Sequence, residues 1–140
     1  MERFGDSLYE HAARMAERGD LSIAPTLAEL PGLTEAERDA LDFGLVQLDD
    51  DGTVLAYNRT ESEFTGLEPE DVVGRHFFRD VAPCTNNPLF RGVFERGLAE
   101  GRLNHLFPYT FSYRMPSTNV KVHLYRDGAT GTNWLLVKRI

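Results

Sequence analysis

The chain has 140 residues, of which 41% are hydrophobic and 26% are charged, a composition typical of one soluble globular domain and unlike that of a disordered chain. Its net charge of −7 disfavours binding to nucleic-acid phosphates or anionic lipid, and the sequence contains neither a signal peptide nor a membrane-spanning apolar run. The single cysteine excludes an internal disulfide and a Cys-rich zinc site, so we expect a cytoplasmic protein without metal, nucleic-acid or membrane partners.

The first 40 residues predict a helical arm. Residues 7–10 (SLYE) form a capping-box pattern followed by apolar residues at helical spacing. A second capping box at residues 34–37 (TEAE) predicts a short helix that runs to about Asp42. Because such helices bury little surface by themselves, we expect residues 1–40 to form a cap on a separate domain of residues 41–140, or on a partner.

After the arm, the pattern predicts a strand hairpin. Two apolar runs, at residues 45–48 and 53–57, flank the turn sequence Asp-Asp-Gly at 50–52, where glycine permits a positive φ. The acidic turn resembles a calcium loop only superficially, because the later ligands are out of register.

Helices are predicted between residues 60 and 101. A capping box at residues 60–63 begins a helix that ends at Gly66, and Pro69 begins another. A longer helix is predicted to open at residues 87–88 and to close at Gly101. The apolar face of this longer helix carries Phe90, Val93, Phe94 and Leu98.

The last third of the chain predicts three strands. Four alternating aromatic residues would lie on one sheet face: Phe107, Tyr109, Phe111 and Tyr113. Residues 120–124 and 134–137 predict the last two strands, joined by a turn. Two strands, several helices and three strands indicate an α+β fold with a five-stranded antiparallel sheet. Short helices would flank one face and the N-terminal helical cap the other, in an order that is similar to PAS-type sensor domains.

Three polar residues, Tyr57, Glu61 and Thr65, lie four positions apart. This spacing can bring their polar ends together beside one helix. The spacing is common, however, and alone it favours an ordinary strand-end aromatic, an exposed acid near a helix start and a helix-end filler.

Cys84 lies in a loop bounded by Pro83 and Pro88. A free cysteine is most often a buried filler, although loops held on rigid scaffolds often carry chemistry. A thiol hydrolase would need a neighbouring histidine, and the candidates His76, His105 and His123 belong to no recognisable signature.

Several segments between about residue 41 and the C terminus match the sequence of a known protein family. All of them align in one register, without an insertion or deletion. The most specific is Asp-Val-Ala-Pro-Cys-Thr at residues 80–85. The other segments are residues 43–44, 47–49, 57–58, 65–66, 77–78, 109–111, 120–123 and 137–139. Through these segments the chain resembles the photoactive yellow protein family of blue-light-sensing PAS proteins.

The resemblance implies a photoreceptor, not an enzyme, that binds 4-hydroxycinnamic acid (p-coumaric acid) as a thioester on Cys84. It implies that Tyr57 and Glu61 hydrogen-bond the phenolic oxygen and that Thr65 supports Tyr57. It further implies that Met115 assists thermal re-isomerisation. The residues implied to shape the pocket are Phe77, Val81, Thr85, Phe111 and Tyr113.

The resemblance also implies a signal and has two departures. Light would drive trans-cis isomerisation, proton transfer from Glu61 and release of the cap toward an unknown downstream signalling protein. Leu67 stands where the best-known members have an arginine over the chromophore ring, which we expect to alter recovery and spectrum but not attachment. The arm is also longer than theirs. The alternative is a PAS interaction or sensor module without this chromophore, and we expect a monomer or weak homodimer.

Overall fold

The computed structural model describes residues 27–112 and 116–140 of the chain. Its strands are β1 (Gly44–Leu48), β2 (Val54–Tyr57), β3 (Asn104–Phe111), β4 (Thr118–Asp127) and β5 (Thr132–Arg139). Its α-helices are α1 (Glu35–Asp39), α2 (Arg59–Thr65), α3 (Pro69–Val72) and α4 (Arg91–Ala99). Short turns of other helical types cover Leu27–Gly32, Phe77–Val81 and Pro83–Thr85. Within these two ranges, no helix has both the length and the apolar character needed to cross a bilayer.

The five strands form one antiparallel sheet in the order β2-β1-β5-β4-β3. β1 and β2 pair across the predicted turn, in which Gly52 has a φ of 93°. Asp49 Oδ1 holds this turn by accepting hydrogen bonds from the backbone N–H groups of Asp51 at 2.9 Å and Thr53 at 2.8 Å. The predicted α+β fold, with a five-stranded antiparallel sheet and short flanking helices, is therefore confirmed.

The two faces of the sheet bury different parts of the chain. The segments between β2 and β3 cover one face and bury Val72, Phe78 and Phe94 against it. The opposite face is covered by residues 27–43, where the side chains of Leu27, Leu30, Leu41 and Phe43 pack with Leu45, Trp134 and Leu136. Coverage by the arm is therefore confirmed from Leu27 onward, whereas the helix predicted at residues 7–19 lies outside the described residues.

The predicted aromatic row lies on the face that is covered by α2 to α4. Along β3, the ring centroids of Phe107 and Tyr109 are 6.2 Å apart, and those of Tyr109 and Phe111 are 5.8 Å apart. These three residues pack in the core on this face, with Phe111 fully buried. Tyr113, the fourth predicted member, lies outside the described residues.

The helix after β2 begins earlier than the sequence pattern predicts. The prediction of a capping box at residues 60–63 is wrong, because Asn58 is the N-cap and its Oδ1 accepts a hydrogen bond from the N–H of Glu61 at 3.0 Å. Asn58 keeps the extended backbone of the preceding strand, as an N-cap requires. The Thr60 hydroxyl instead donates to the Leu41 carbonyl at 2.6 Å. The predicted end is confirmed, since Gly66 has a φ of 77°.

Two other helix boundaries also shift. The capping box of α1 is confirmed by reciprocal hydrogen bonds between Thr34 and Glu37, but the helix ends at Asp39 and not at Asp42. The longer helix, α4, begins at Arg91 because the Asn87 side chain first holds a separate turn.

Candidate functional site

The side chains of Tyr57 and Thr65 meet the backbone of Glu61 where β2 leads into α2. The Tyr57 hydroxyl lies 2.7 Å from Thr65 Oγ1, and Thr65 Oγ1 donates to the Glu61 carbonyl oxygen at 3.0 Å. Because a threonine hydroxyl has one hydrogen, Tyr57 is the donor in the bond that joins the two side chains. The convergence predicted from spacings of four is therefore confirmed for the Tyr57 and Thr65 side chains, and for Glu61 only through its backbone carbonyl.

The Glu61 carboxyl is buried and incompletely bonded. Its residue is 2% exposed, and Oε1 has no hydrogen-bond partner within the described parts of the chain. Burial raises the pKa of Glu61 to about 8, so the carboxyl is protonated at neutral pH. The prediction from spacing alone, an exposed acid near a helix start, is wrong because α2 turns Glu61 toward β1.

Burial also keeps the Tyr57 hydroxyl neutral. Desolvation is the main cause that raises its pKa, the charge of a nearby Glu61 carboxylate adds to the increase, and the Thr65 hydrogen bond opposes it. The site therefore contains two buried O–H groups, on Tyr57 and Glu61, both protonated at neutral pH.

Gly44 makes room for the carboxyl, a role that sequence reasoning missed. A Cβ atom at this position of β1 would lie only 2.0 Å from Glu61 Oε1. Real Cβ atoms do not approach so closely, so only glycine fits without movement of Glu61. Glycine at the first position of a strand was the available signal, since it often marks close approach of another group.

Asn58 is a second residue that was missed as part of the site. Its side chain is buried and has four hydrogen bonds, all between 2.9 and 3.1 Å. Oδ1 accepts from the N–H groups of Leu45 and Glu61, and Nδ2 donates to the carbonyls of Arg38 and Phe43. One amide thus connects α1, β1 and α2.

Cys84 lies in the short turn Pro83–Thr85 and is half-buried. It packs against the same core cluster that contains Tyr57. Its carbonyl oxygen accepts hydrogen bonds from the Tyr109 hydroxyl and from Asn87 Nδ2. The adjacent Thr85 is buried, and its hydroxyl donates to the Ala82 carbonyl at 2.6 Å.

The remaining predicted site residues divide into two groups. Those that belong to this core cluster or pack on it are Leu67, Phe77, Val81 and Phe111. Tyr113 and Met115 lie outside the described residues, so their predicted roles stay predictions.

The histidines that a thiol hydrolase would need make contacts elsewhere. His76 Nε2 bonds the Asp51 carbonyl at 2.8 Å, His123 Nε2 bonds Asn104 Oδ1, and the ring of His105 lies 5.3 Å from that of Phe107. Among residues 27–112 and 116–140, no group of three or more His, Cys, Asp or Glu could hold a metal ion.

Comparison with known proteins places these features in a family. The PAS fold family model matches residues 33–129. A photoactive yellow protein from Rhodothalassium salexigens is 44% identical over 140 residues, which cover 100% of this chain and 98% of that protein. A photoactive yellow protein from Halochromatium salexigens is 42% identical over 111 residues, which cover 79% of this chain and 89% of that protein. The first alignment therefore includes the N-terminal arm.

A solved structure shows the same similarity. The photoactive yellow protein domain of the sensor histidine kinase Ppr from Rhodospirillum centenum superposes with a TM-score of 0.76 at 40% sequence identity. The superposition covers 79% of this chain and 97% of that domain.

Proposed function

Because the chain belongs to the photoactive yellow protein family of PAS proteins, we propose that it is a blue-light receptor that binds 4-hydroxycinnamic acid as a thioester on Cys84. The observation that carries the proposal is the orphaned Oε1 of the buried Glu61 carboxyl, whose charge would act on the buried Tyr57 hydroxyl. A buried polar atom without a partner is costly, and a ligand oxygen in this position would supply the missing partner.

The chemistry of the donors suits a phenolic oxygen. A free phenol has a pKa of about 10, and burial raises that pKa, so an ionised phenolate inside the protein needs strong hydrogen-bond donors. Tyr57 and the protonated Glu61 are two such donors, and their hydrogen bonds to an anion would be charge-assisted. Thr65 would then support Tyr57 by turning its single hydroxyl hydrogen from the Glu61 carbonyl to the Tyr57 oxygen.

The other site residues would hold and enclose the same group. When bound, 4-hydroxycinnamic acid would supply absorption of blue light and a double bond that isomerises. Cys84 would provide the covalent attachment, and Met115 would assist thermal recovery. The residues that would shape the pocket are Leu67, Phe77, Val81, Thr85, Phe111 and Tyr113.

Glu61 would convert the absorption of light into a change of shape. If light causes Glu61 to give its proton to the phenolate oxygen of the bound ligand, a neutral phenol and a carboxylate would result, with the carboxylate on a residue that is 2% exposed. A buried unpaired charge costs at least several kcal/mol, which is comparable with the whole stability of a domain. Partial opening of the core around α2 would relieve this cost.

The cap is the element that we expect to respond. We propose that residues 41–140 bind the chromophore and that residues 1–40 act as the cap, released when α2 moves. Asn58 supports this proposal, because it bonds both Glu61 and the Arg38 carbonyl at the end of α1. The signal would then pass to a downstream protein, as the relative that is a domain of a sensor histidine kinase suggests.

Chromophore attachment can be tested directly. The purified chain is incubated with an activated ester of 4-hydroxycinnamic acid, and its mass and absorbance are recorded. We expect one adduct that absorbs blue light and bleaches reversibly on illumination. Cys84→Ala should form none, since Cys84 is the only cysteine. An unmodified wild-type chain, or a colourless adduct, would reject the light-receptor proposal in favour of a PAS interaction module.

A further inference from the structure

The Cys84 carbonyl is held by two side chains that also bond each other. The Tyr109 hydroxyl donates to it at 2.5 Å, and Asn87 Nδ2 donates to it at 3.1 Å. Asn87 Nδ2 also donates to the Tyr109 oxygen at 2.7 Å. The hydroxyl hydrogen of Tyr109 and both amide hydrogens of Asn87 are thus used within this set of bonds, which we call the Asn87–Tyr109 latch.

Both side chains of the latch are fixed by their own surroundings. The Tyr109 ring lies 5.1 Å from that of Phe90, and its residue pairs with Val120 in the sheet. Asn87 Oδ1 accepts hydrogen bonds from the N–H groups of Leu89 at 2.9 Å and Phe90 at 3.1 Å, just before α4. The latch therefore joins the Cys84 turn to the edge strand β3 and to the segment that leads into α4.

Proline alone would not hold the turn in this way. Pro83 restricts only its own φ and the conformation of the residue before it, and Pro88 is exposed. The latch acts on the carbonyl of Cys84 itself, so it restrains the backbone that carries the sulfur.

We propose that Asn87 and Tyr109 are positioning residues that hold the Cys84 sulfur at a fixed place relative to the Tyr57 and Glu61 donors. This inference rests on the proposed function, in which one ligand is bonded at both ends. A site of that kind works only if its fixed groups keep their geometry to within about 0.5 Å. Holding the anchor also reduces the freedom lost when the ligand returns to its dark geometry, which should make dark recovery faster.

The test uses variants that each remove one of the two hydrogen bonds to the Cys84 carbonyl, together with the bond between the two latch side chains. Tyr109→Phe keeps the ring and loses the hydroxyl, whereas Asn87→Ser keeps a side-chain acceptor for the start of α4 and loses the amide donors. The double variant combines both changes. Matched controls are Asn86→Ala, in the same loop with its side chain bonded to Arg91, and Tyr125→Phe, whose hydroxyl donates to Asp127.

The first readout needs no chromophore. Iodoacetamide alkylates the chain only at Cys84, the single cysteine, so the rate reports on the freedom of this turn. We expect each latch variant to react about two- to tenfold faster than the wild-type chain, the range expected for loss of one ordinary hydrogen bond. If the latch acts as a unit, the double variant reacts as fast as the faster single variant, and the controls react like wild type.

The second readout uses the chain loaded with 4-hydroxycinnamic acid. Dark recovery should slow about two- to tenfold in the latch variants, while the absorbance maximum stays unchanged because Tyr57 and Glu61 are intact. A loss of stability without a positioning role would leave recovery unchanged.

Failure of the inference differs from failure of the proposed function. Wild-type alkylation rates in both single variants, or effects that multiply in the double variant, would overturn the latch. A wild-type chain that forms no adduct would overturn the light-receptor proposal while leaving the alkylation result in place.

Discussion

At the scale of single residues, the Glu61 carboxyl occupies the space that a side chain at position 44 would need. Gly44→Ala should destabilise the chain by about 1–3 kcal/mol, because the new Cβ would lie 2.0 Å from Glu61 Oε1 and force the carboxyl aside. Urea unfolding of the chain without chromophore measures the loss. Gly32→Ala is the matched control, since a Cβ there meets no atom within 4 Å.

A second variant shows whether the carboxyl is the cause. In the double variant Gly44→Ala/Glu61→Asp the acidic side chain is one carbon shorter, so its carboxyl lies farther from the added methyl group. The double variant should therefore lose less stability than the sum of the losses of the two single variants. Residues in contact couple in this way, whereas independent residues give additive losses. Strictly additive losses would contradict the account of Gly44.

Asn58 connects three elements, and its loss should therefore cost more than loss of an ordinary helix cap. Asn58→Ala removes a buried amide and leaves groups on β1, α1 and α2 without partners, which we expect to cost about 2–4 kcal/mol. Thr34→Ala is the matched control, because Thr34 caps only the exposed helix α1 and should cost about 1 kcal/mol. Urea unfolding compares the two variants, and equal losses would contradict the connecting role of Asn58.

The order of elements was predictable from sequence, whereas their exact boundaries depended on tertiary contacts. Alternation predicted β3 and β4, and apolar runs beside turn residues predicted β1, β2 and β5, of which β1 and β5 are buried on both faces. The prediction placed the start of α2 at residue 60 because residues 60–63 match a capping box. The actual N-cap is Asn58, whose side chain bonds α1, β1 and α2. Asn58 is the N-cap because its amide also satisfies backbone groups of Leu45 in β1 and Arg38 in α1, which a local pattern cannot include.

The candidate site was predictable only in part for a related reason. Spacing indicated that Tyr57, Glu61 and Thr65 could meet, but burial of Glu61 depends on Gly44, 17 positions earlier in the chain. The bonds from Asn87 and Tyr109 to Cys84 likewise require β3 to lie beside the turn, which no local pattern specifies.

At the scale of the whole molecule, burial of Glu61 and of His123 makes stability vary with pH in opposite directions. The pKa of Glu61 rises from 4.5 to about 8 on folding, so its contribution is fully present below pH 4.5 and is lost as the pH rises through 8. Burial lowers the pKa of His123 from 6.5 to about 4, so its contribution is present above pH 6.5 and is lost as the pH falls through 4. The two trends oppose each other between pH 4.5 and 6.5, and of these two groups Glu61 is the one that acts between pH 6.5 and 8.

We therefore predict that the chain without chromophore loses about 2 kcal/mol of stability between pH 6.5 and 8, a window of 1.5 pH units in which Glu61 stays protonated only when folded. Glu61→Gln, which cannot ionise, should remove this loss. It should keep the increase in stability that His123 causes as the pH rises from about 4 to 6.5. Urea unfolding at half-unit intervals of pH measures both curves. Parallel curves for the two chains would mean that the Glu61 carboxyl is not buried as a neutral acid, and the proton proposed to leave it in the light would then be absent in the dark.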